Sequence, residues 1–203
     1  MAGRPKGTAL NGRVRYLTDD ELARFMAAAR RHGRKWDCLW SLVYFFAMRI
    51  GEAVSLGLDD VGLDAHQITV RAEKGGFSRT YDIPEKLERK LKAWLKERAG
   101  RPEAKENPYL FPSRVLPRTG HMTQESGWKL FQSTCGKAGL ANPHSPHDLR
   151  HTCASQMAAK GDSLVQIARW LRHKNVASSE RYLSDMNSAE HEKEMERRSA
   201  KFL

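Results

Sequence analysis

Four side chains in the last third of the chain have types and spacing that suit chemistry at a phosphodiester. His147 and Arg150 lie three residues apart, so on a helix both side chains would point the same way. His173 and Tyr182 follow within a short downstream segment. Together these residues supply a guanidinium for phosphate, imidazoles for proton transfer and a hydroxyl nucleophile, which is what transesterification needs.

Two side chains further upstream could join this group. Arg49 lies at the end of the most apolar predicted helix, where a guanidinium must meet an anion because an unpaired buried charge is costly. Its anion could be a phosphate held by two hydrogen bonds, or the carboxylate of Glu52 in a structural ion pair. Lys74 precedes two glycines at a predicted hairpin tip. Its ammonium could reach into a groove, although a solvated turn residue is the alternative.

A metal site is a competing interpretation of the same segment. His147 and His151 are four residues apart, which is the spacing of paired zinc ligands on a helix. The zinc-peptidase pattern has Glu directly after the first His, whereas this chain has Asp148, and a third ligand is unassigned. We therefore expect neither a metal nor another cofactor.

The charge of the chain indicates its class of partner. The 203 residues carry a formal net charge of +11, which points to a polyanion, although a basic protein can also simply be soluble. The sequence shows no apolar run near the ~20 residues of a membrane span and no secretory signal. The cysteines are odd in number and scattered, which predicts buried thiols in the reducing cytoplasm rather than disulfides. They are Cys38, Cys135 and Cys153.

The elements that must position these groups begin with two helices and a hairpin. Thr18-Asp19-Asp20-Glu21 predicts a capping box, and the helix that follows should stop at Gly33. Residues 35–48 are apolar nearly all round, which predicts a central, buried helix. Apolar and polar residues alternate over 68–70 and 81–83 around Lys74-Gly75-Gly76, which predicts a β-hairpin.

The rest of the chain is predicted to be helical apart from one connection. Pro84 should open a helix with an apolar face, whereas residues 100–122 hold four prolines and read as a long surface connection. Thr123 should cap a helix that runs to about Gly139, and further helices are expected at 147–160, 163–171 and 177–184. A charged helix should begin at Ser188. The expected fold class is α+β, mostly α-helical with a small antiparallel β-sheet.

The chain opens with a basic tail, residues 1–17, which contains no acidic residue. Its Gly3-Arg4-Pro5-Lys6-Gly7 resembles half of an AT-hook, an extended segment that lays arginine into a narrow A·T minor groove. A plain disordered basic tail is the alternative. The candidate DNA-binding residues of this tail are Arg4, Lys6, Arg13 and Arg15.

These features in their order resemble the tyrosine recombinase, or phage integrase, family. The resemblance covers roughly residues 18–186, the extent of a catalytic domain in that family. The matching positions are Arg49 in Met-Arg-Ile-Gly-Glu-Ala-Val-Ser-Leu, Lys74 in a hairpin, His147-x-x-Arg150, Leu171-Arg172-His173, and Tyr182 nine residues later.

The resemblance implies a site-specific DNA recombinase that cleaves and rejoins DNA without metal or ATP. Tyr182 would attack the scissile phosphate and form a 3′-phosphotyrosine, and this covalent link would store the energy of the broken bond. Arg49 and Arg150 would hold the non-bridging oxygens and neutralise the charge that builds up in the transition state.

The remaining members of the set would move protons or orient their neighbours. By resemblance, Lys74 would protonate the leaving 5′-oxygen, His147 would assist proton transfer at the tyrosine, and His173 would donate a hydrogen bond to the phosphate. Glu52 would orient neighbouring groups without reacting itself.

The resemblance also carries expectations about organisation. Many integrases have a core-binding domain before the catalytic one, whereas here the basic tail precedes the first predicted helix. This chain therefore resembles single-domain members such as the fimbrial-switch invertases, or it is a piece of a longer protein. We expect residues 187–203 to form a helix that docks on a neighbouring protomer. The expected assembly is a monomer when free and a tetramer on double-stranded DNA, in the cytoplasm at the nucleoid. A topoisomerase of type IB and a catalytically silent DNA-binding relative are the alternatives.

Overall fold

Seven α-helices and one three-stranded antiparallel sheet make up the part of the chain that the computed structural model describes, residues 16–72, 77–114, 120–140 and 144–173. This confirms the predicted α+β class. The helices are α1 Asp19–His32, α2 Arg34–Phe45, α3 Ile50–Val54, α4 Glu85–Ala99, α5 Gln124–Lys137, α6 Pro146–Ala159 and α7 Leu164–Trp170. The strands are β1 Val61–Gly62, β2 Gln67–Val70 and β3 Arg79–Asp82, paired in that order.

Helix α2 lies at the centre of the fold, as its apolar sequence predicts. It packs against α1, α3, α4 and α6, and its Leu39, Trp40 and Val43 are completely buried. The Trp40 ring lies 5.9 Å from that of Phe25 and 5.4 Å from that of Phe131, which joins α1 and α5 to the same core. Each such side chain stabilises the fold by about 1.5–3 kcal/mol through burial.

Helix α1 begins and ends where its sequence signals predict. The Thr18 hydroxyl accepts a hydrogen bond from the Glu21 N–H, and the Glu21 carboxylate accepts one from the Thr18 N–H, which confirms the capping box. Gly33 ends the helix at a φ of +128°, which a side chain would strain.

The predicted end of α2 was wrong. The helix does not run to residue 48 but stops at Phe45, because Ala47 adopts a φ of +47° and turns the chain. The Ala47 N–H then donates to the Tyr44 carbonyl, and the Met48 N–H donates to that of Val43, a pattern known as a Schellman motif. Arg49 therefore does not end α2 but stands at the N-cap of α3.

Residues 100–122 were also predicted incorrectly as a surface connection. Leu110 and Phe111 within this segment are completely buried, and Phe111 stacks on Trp94 of α4. The Trp94 indole N–H donates to the Leu110 carbonyl, and the Leu110 N–H donates to that of Leu56. The prolines prevent a long helix here, but these hydrogen bonds allow the backbone to be buried without one.

The predicted hairpin is confirmed, with Ile68 opposite Tyr81 and Val70 opposite Arg79. Its turn, residues 73–76, lies outside the described residues, as do the helices predicted at 177–184 and from Ser188.

All three cysteines are buried, as predicted. None of the helices in the described ranges is long and apolar enough to span a bilayer.

The contact between α3 and α5 depends on Gly127. A Cβ at this position would lie 2.9 Å from both Cγ1 and Cδ1 of Ile50. We expect Gly127→Ala to lower the free energy of unfolding by about 1–3 kcal/mol, because overpacking outweighs the gain of about 1 kcal/mol in helix propensity. Thermal or urea unfolding measures the change.

Gly136 in the same helix is the matched control, since a Cβ there would have nothing within 4 Å. Gly136→Ala should stabilise the protein by about 0.5–1 kcal/mol through helix propensity alone. Equal stabilisation by both substitutions would show that the α3–α5 contact tolerates a methyl group.

Candidate active site

The candidate site forms around the C-terminal end of α2. The last carbonyl groups of a helix have no partners within the helix, and they form the negative end of its dipole. Here the Phe46 carbonyl accepts a hydrogen bond of 2.9 Å from Nη1 of Arg172. The Ala47 carbonyl accepts from Nη2 of Arg172 at 3.2 Å and also from Nη1 of Arg150. Two guanidiniums therefore cap this helix end.

Glu52 is a buried carboxylate that two arginines share. One oxygen accepts from Nη1 of Arg49 at 2.8 Å, and the other accepts from the Arg49 N–H at 2.8 Å and from Nη2 of Arg172 at 2.6 Å. Burial by itself would raise the pKa of Glu52, but the charges of Arg172 and Arg150 and these hydrogen bonds lower it below its ordinary value. Glu52 is therefore ionised at neutral pH.

The structure thus contains the Arg49–Glu52 ion pair that was one of the two interpretations of Arg49. The Glu52 side chain is fully buried, whereas the Arg49 side chain is 34% exposed. A guanidinium has five N–H donors in a fixed fork. The ion pair therefore orients Arg49 without closing it off from an anion in solution.

Arg150 and His147 lie on α6 and differ in their access to solvent. Arg150 is completely buried, and its guanidinium donates to the carbonyls of Ala47 and Leu171. His147, one turn earlier, is exposed. Their spacing places them one turn apart on α6, but it does not give them the same exposure.

The first turn of α6 is held by a capping box. The Ser145 hydroxyl donates to Asp148 at 2.9 Å, and the Ser145 N–H donates to the other carboxylate oxygen at 3.2 Å.

The His147 ring lies edge-on to the His151 ring, with 4.5 Å between centroids. Across the described ranges, no three His, Cys, Asp or Glu side chains cluster in a way that could hold a metal ion.

His173 follows α7 directly and is half-buried. Its N–H donates to the Ala168 carbonyl, which completes a Schellman motif with Arg172 at the turning position. Arg172 has a φ of +57° there, whereas α5 and α6 end in the same motif at Gly139 and Gly161. A residue other than glycine is strained at such a φ, and strained residues cluster at functional sites. The strained turns at Ala47 and Arg172, which end α2 and α7, are in direct contact through a hydrogen bond.

The base of the hairpin is fixed to the same group. The Tyr81 hydroxyl donates to the Trp170 carbonyl at 2.7 Å and accepts from Nη1 of Arg172 at 2.7 Å. Burial raises the pKa of Tyr81, so the phenol keeps its proton. The Tyr81 ring also packs against Phe46 and Trp170, at centroid distances of 5.2 and 4.9 Å. Strand β3, which leads from the Lys74 turn, is therefore anchored beside α7.

The structure brings Arg49, Glu52 and Arg150 together and places His173 next to Arg172. His147 is described on α6, and the remaining predicted site residues lie outside the described residues, so that their roles stay predictions; they are Lys74, Tyr182, Arg4, Lys6, Arg13 and Arg15. The sequence analysis missed the central position of Arg172. The argument used for Arg49, that an arginine in an apolar segment must meet an anion, applied equally to Arg172 after Trp170-Leu171.

Comparisons with known proteins agree with this geometry. A model of the phage integrase family matches residues 15–188. The type 1 fimbriae regulatory protein FimB of Escherichia coli K12 is 30% identical over 173 residues, which cover 84% of each chain.

Two solved structures share the fold. The crystal structure of XerA recombinase superposes with a TM-score of 0.74 at 27% identity, over 88% of this chain and 65% of that chain. The XerH site-specific recombinase bound to its difH substrate gives a TM-score of 0.71 at 25% identity, over 87% of this chain and 52% of that chain. This chain thus spans most of FimB but only half to two thirds of these recombinases. Because the family model covers more than half of its residues, the chain belongs to the phage integrase family, the tyrosine site-specific recombinases.

Proposed function

We propose that this protein is a site-specific DNA recombinase that cleaves and rejoins double-stranded DNA through a 3′-phosphotyrosine at Tyr182. The observation that carries the proposal is the group of Arg49, Arg150 and Arg172 around Glu52 and the end of α2. A buried cluster of oriented guanidiniums suits a phosphate whose negative charge increases in the transition state. Neither a metal nor ATP is required, because the arginines supply charge and the phosphotyrosine conserves the bond energy.

Arg49 is the group placed best for direct contact with the phosphate. Its backbone and side chain are both held by Glu52, and a third of the side chain is exposed. Arg150 is completely buried, so its charge acts on the phosphate through the interior, where screening is weak. A direct contact with Arg150 requires a rearrangement when DNA binds.

The proton transfers fall to the remaining residues of the set. The phenolic oxygen of Tyr182 attacks the phosphorus atom as the bond between phosphorus and the 5′-oxygen breaks. Lys74 donates a proton to the leaving 5′-oxygen. His147, which is exposed, takes part in removing the proton from Tyr182. His173 donates a hydrogen bond to a phosphate oxygen.

Several features support DNA as the partner. The net charge is +11, and the structurally similar XerH was solved bound to its difH substrate. We assign the basic tail to the minor groove beside the cleavage site through Arg4, Lys6, Arg13 and Arg15. Residues 187–203 dock on a neighbouring protomer, so that four copies assemble on two duplexes at the nucleoid in the cytoplasm.

Substitution of the nucleophile tests the central claim. A nicked suicide substrate would carry the recombination site, found by selecting bound fragments from random DNA, and EDTA would be present throughout. The wild type should form a covalent protein–DNA adduct on a denaturing gel, and Tyr182→Phe should form none. Tyr109→Phe is the control, because the Tyr109 ring packs against His121 outside the candidate site, and this variant should react normally. An adduct from Tyr182→Phe, or none from the wild type, contradicts the assignment.

The fork of Arg49 is tested by keeping its charge and changing its shape. Arg49→Lys retains the cation but lacks the planar fork that presents donors to Glu52 and to phosphate in fixed directions, so the cleavage rate should fall by about 10²–10³-fold. Arg89→Lys is the control, because Arg89 is exposed and pairs with Glu85 on the surface of α4. Equal cleavage rates for the two variants would show that the Arg49 guanidinium does not contribute to cleavage.

Removal of residues 188–203 separates assembly from chemistry. The shortened protein should still cleave a suicide substrate, because the proposed catalytic groups all precede residue 188. Strand exchange between two duplexes should be lost, since it needs docked protomers. A two-plasmid recombination assay measures this, and unchanged recombination would show that these residues do not dock.

A further inference from the structure

Arg172 contacts four of the elements that surround the candidate site. It is completely buried, yet its two terminal nitrogens reach a carboxylate, a phenol and three carbonyls, which belong to α3, β3, α7 and the end of α2. The acceptors are Glu52 at 2.6 Å, Tyr81 at 2.7 Å, Phe46 at 2.9 Å, Ala47 at 3.2 Å and Trp170 at 3.3 Å. A single side chain therefore connects α3, β3, α7 and the end of α2.

Both arginines proposed to act on the phosphate share an acceptor with Arg172. The Glu52 oxygen that binds Arg172 also accepts the Arg49 N–H, while the other oxygen holds the Arg49 side chain. The Ala47 carbonyl accepts from Arg172 and from Arg150. A displacement of Arg172 would therefore move the groups that orient both Arg49 and Arg150.

The backbone of Arg172 supports a special role for its side chain. Its φ of +57° favours glycine, and the equivalent positions at the ends of α5 and α6 are Gly139 and Gly161. An arginine at such a position is strained, and this conformation persists only where the surroundings hold the residue in place. The five hydrogen bonds of the guanidinium supply that support.

We propose that Arg172 is a positioning residue for DNA cleavage. It fixes the Glu52 carboxylate and the end of α2, and through them it sets the orientation of Arg49 and Arg150 at the phosphate. Arg172 itself does not touch the DNA. This inference rests on the proposed recombinase function and adds to it a residue whose effect is indirect.

Two substitutions separate the guanidinium from the backbone. Arg172→Lys keeps the charge but lacks the planar fork that reaches several acceptors. Arg172→Gly removes the side chain and suits the φ of +57°. With DNA saturated by protein, we expect both variants to form the covalent adduct about 10²-fold more slowly, the effect of misplacing a catalytic group by about 1 Å. Binding of uncleaved DNA should stay near that of the wild type.

A second buried arginine provides the matched control. Arg98 on α4 is also buried, and it donates to the carbonyls of Asn107 and Tyr109 rather than to the site. Arg98→Lys should lower the melting temperature but leave the cleavage rate unchanged at temperatures where the variant is folded. Rates are compared only where thermal unfolding shows a folded protein. If Arg172→Gly does not fold, the rate of adduct formation by Arg172→Lys alone tests the proposal.

A double-mutant cycle with Glu52→Gln identifies the route of the effect. If Arg172 acts through Glu52, Arg172→Lys should slow cleavage by a smaller factor in the Glu52→Gln background than in the wild type. A purely structural role predicts the same factor in both. Equal factors, or wild-type rates for the Arg172 variants, would overturn the inference. An adduct from Tyr182→Phe, or none from the wild type, would instead overturn the recombinase proposal.

Discussion

The carbonyl groups at the C-terminal end of α2 are the constraint around which the site is built. A helix end buried in the core must find donors for its last carbonyls, and the Schellman turn at Ala47 satisfies those of Val43 and Tyr44. The carbonyls of Phe46 and Ala47 that follow are satisfied by Arg172 and Arg150. The central helix of the described fold thus ends against two completely buried guanidiniums.

This arrangement suits the handling of a phosphate. Carbonyl dipoles and one shared carboxylate hold the guanidiniums of Arg49, Arg150 and Arg172 in place before any substrate arrives. Groups that are already oriented need little reorganisation during the reaction, and a weakly screened interior strengthens their effect on developing charge. Glu52 stays ionised in this setting, because the charges and hydrogen bonds around it outweigh the effect of its burial.

Much of the fold was predictable because its signals are local. The capping box of α1, the apolar faces of α1 and α4, and the alternation of β2 and β3 depend on neighbouring residues in the chain. The errors arose where tertiary contacts override local pattern. Helix α2 stops at Phe45 although residues 46–48 are apolar, and Leu110 enters the core from a proline-rich segment because Trp94 and Leu56 satisfy its backbone.

The candidate site shows the same division. The types and order of the reactive groups, and with them the family, can be recognised in the chain alone, because Arg49, His147-x-x-Arg150 and His173 form a distinctive pattern. The arginine that connects them is apparent only in the folded protein. The acceptors of Arg172 come from positions up to 126 residues away, so no local signal could reveal the contacts. Burial and hydrogen-bond geometry exist only once distant segments have packed, and these give Arg172 its place in the site.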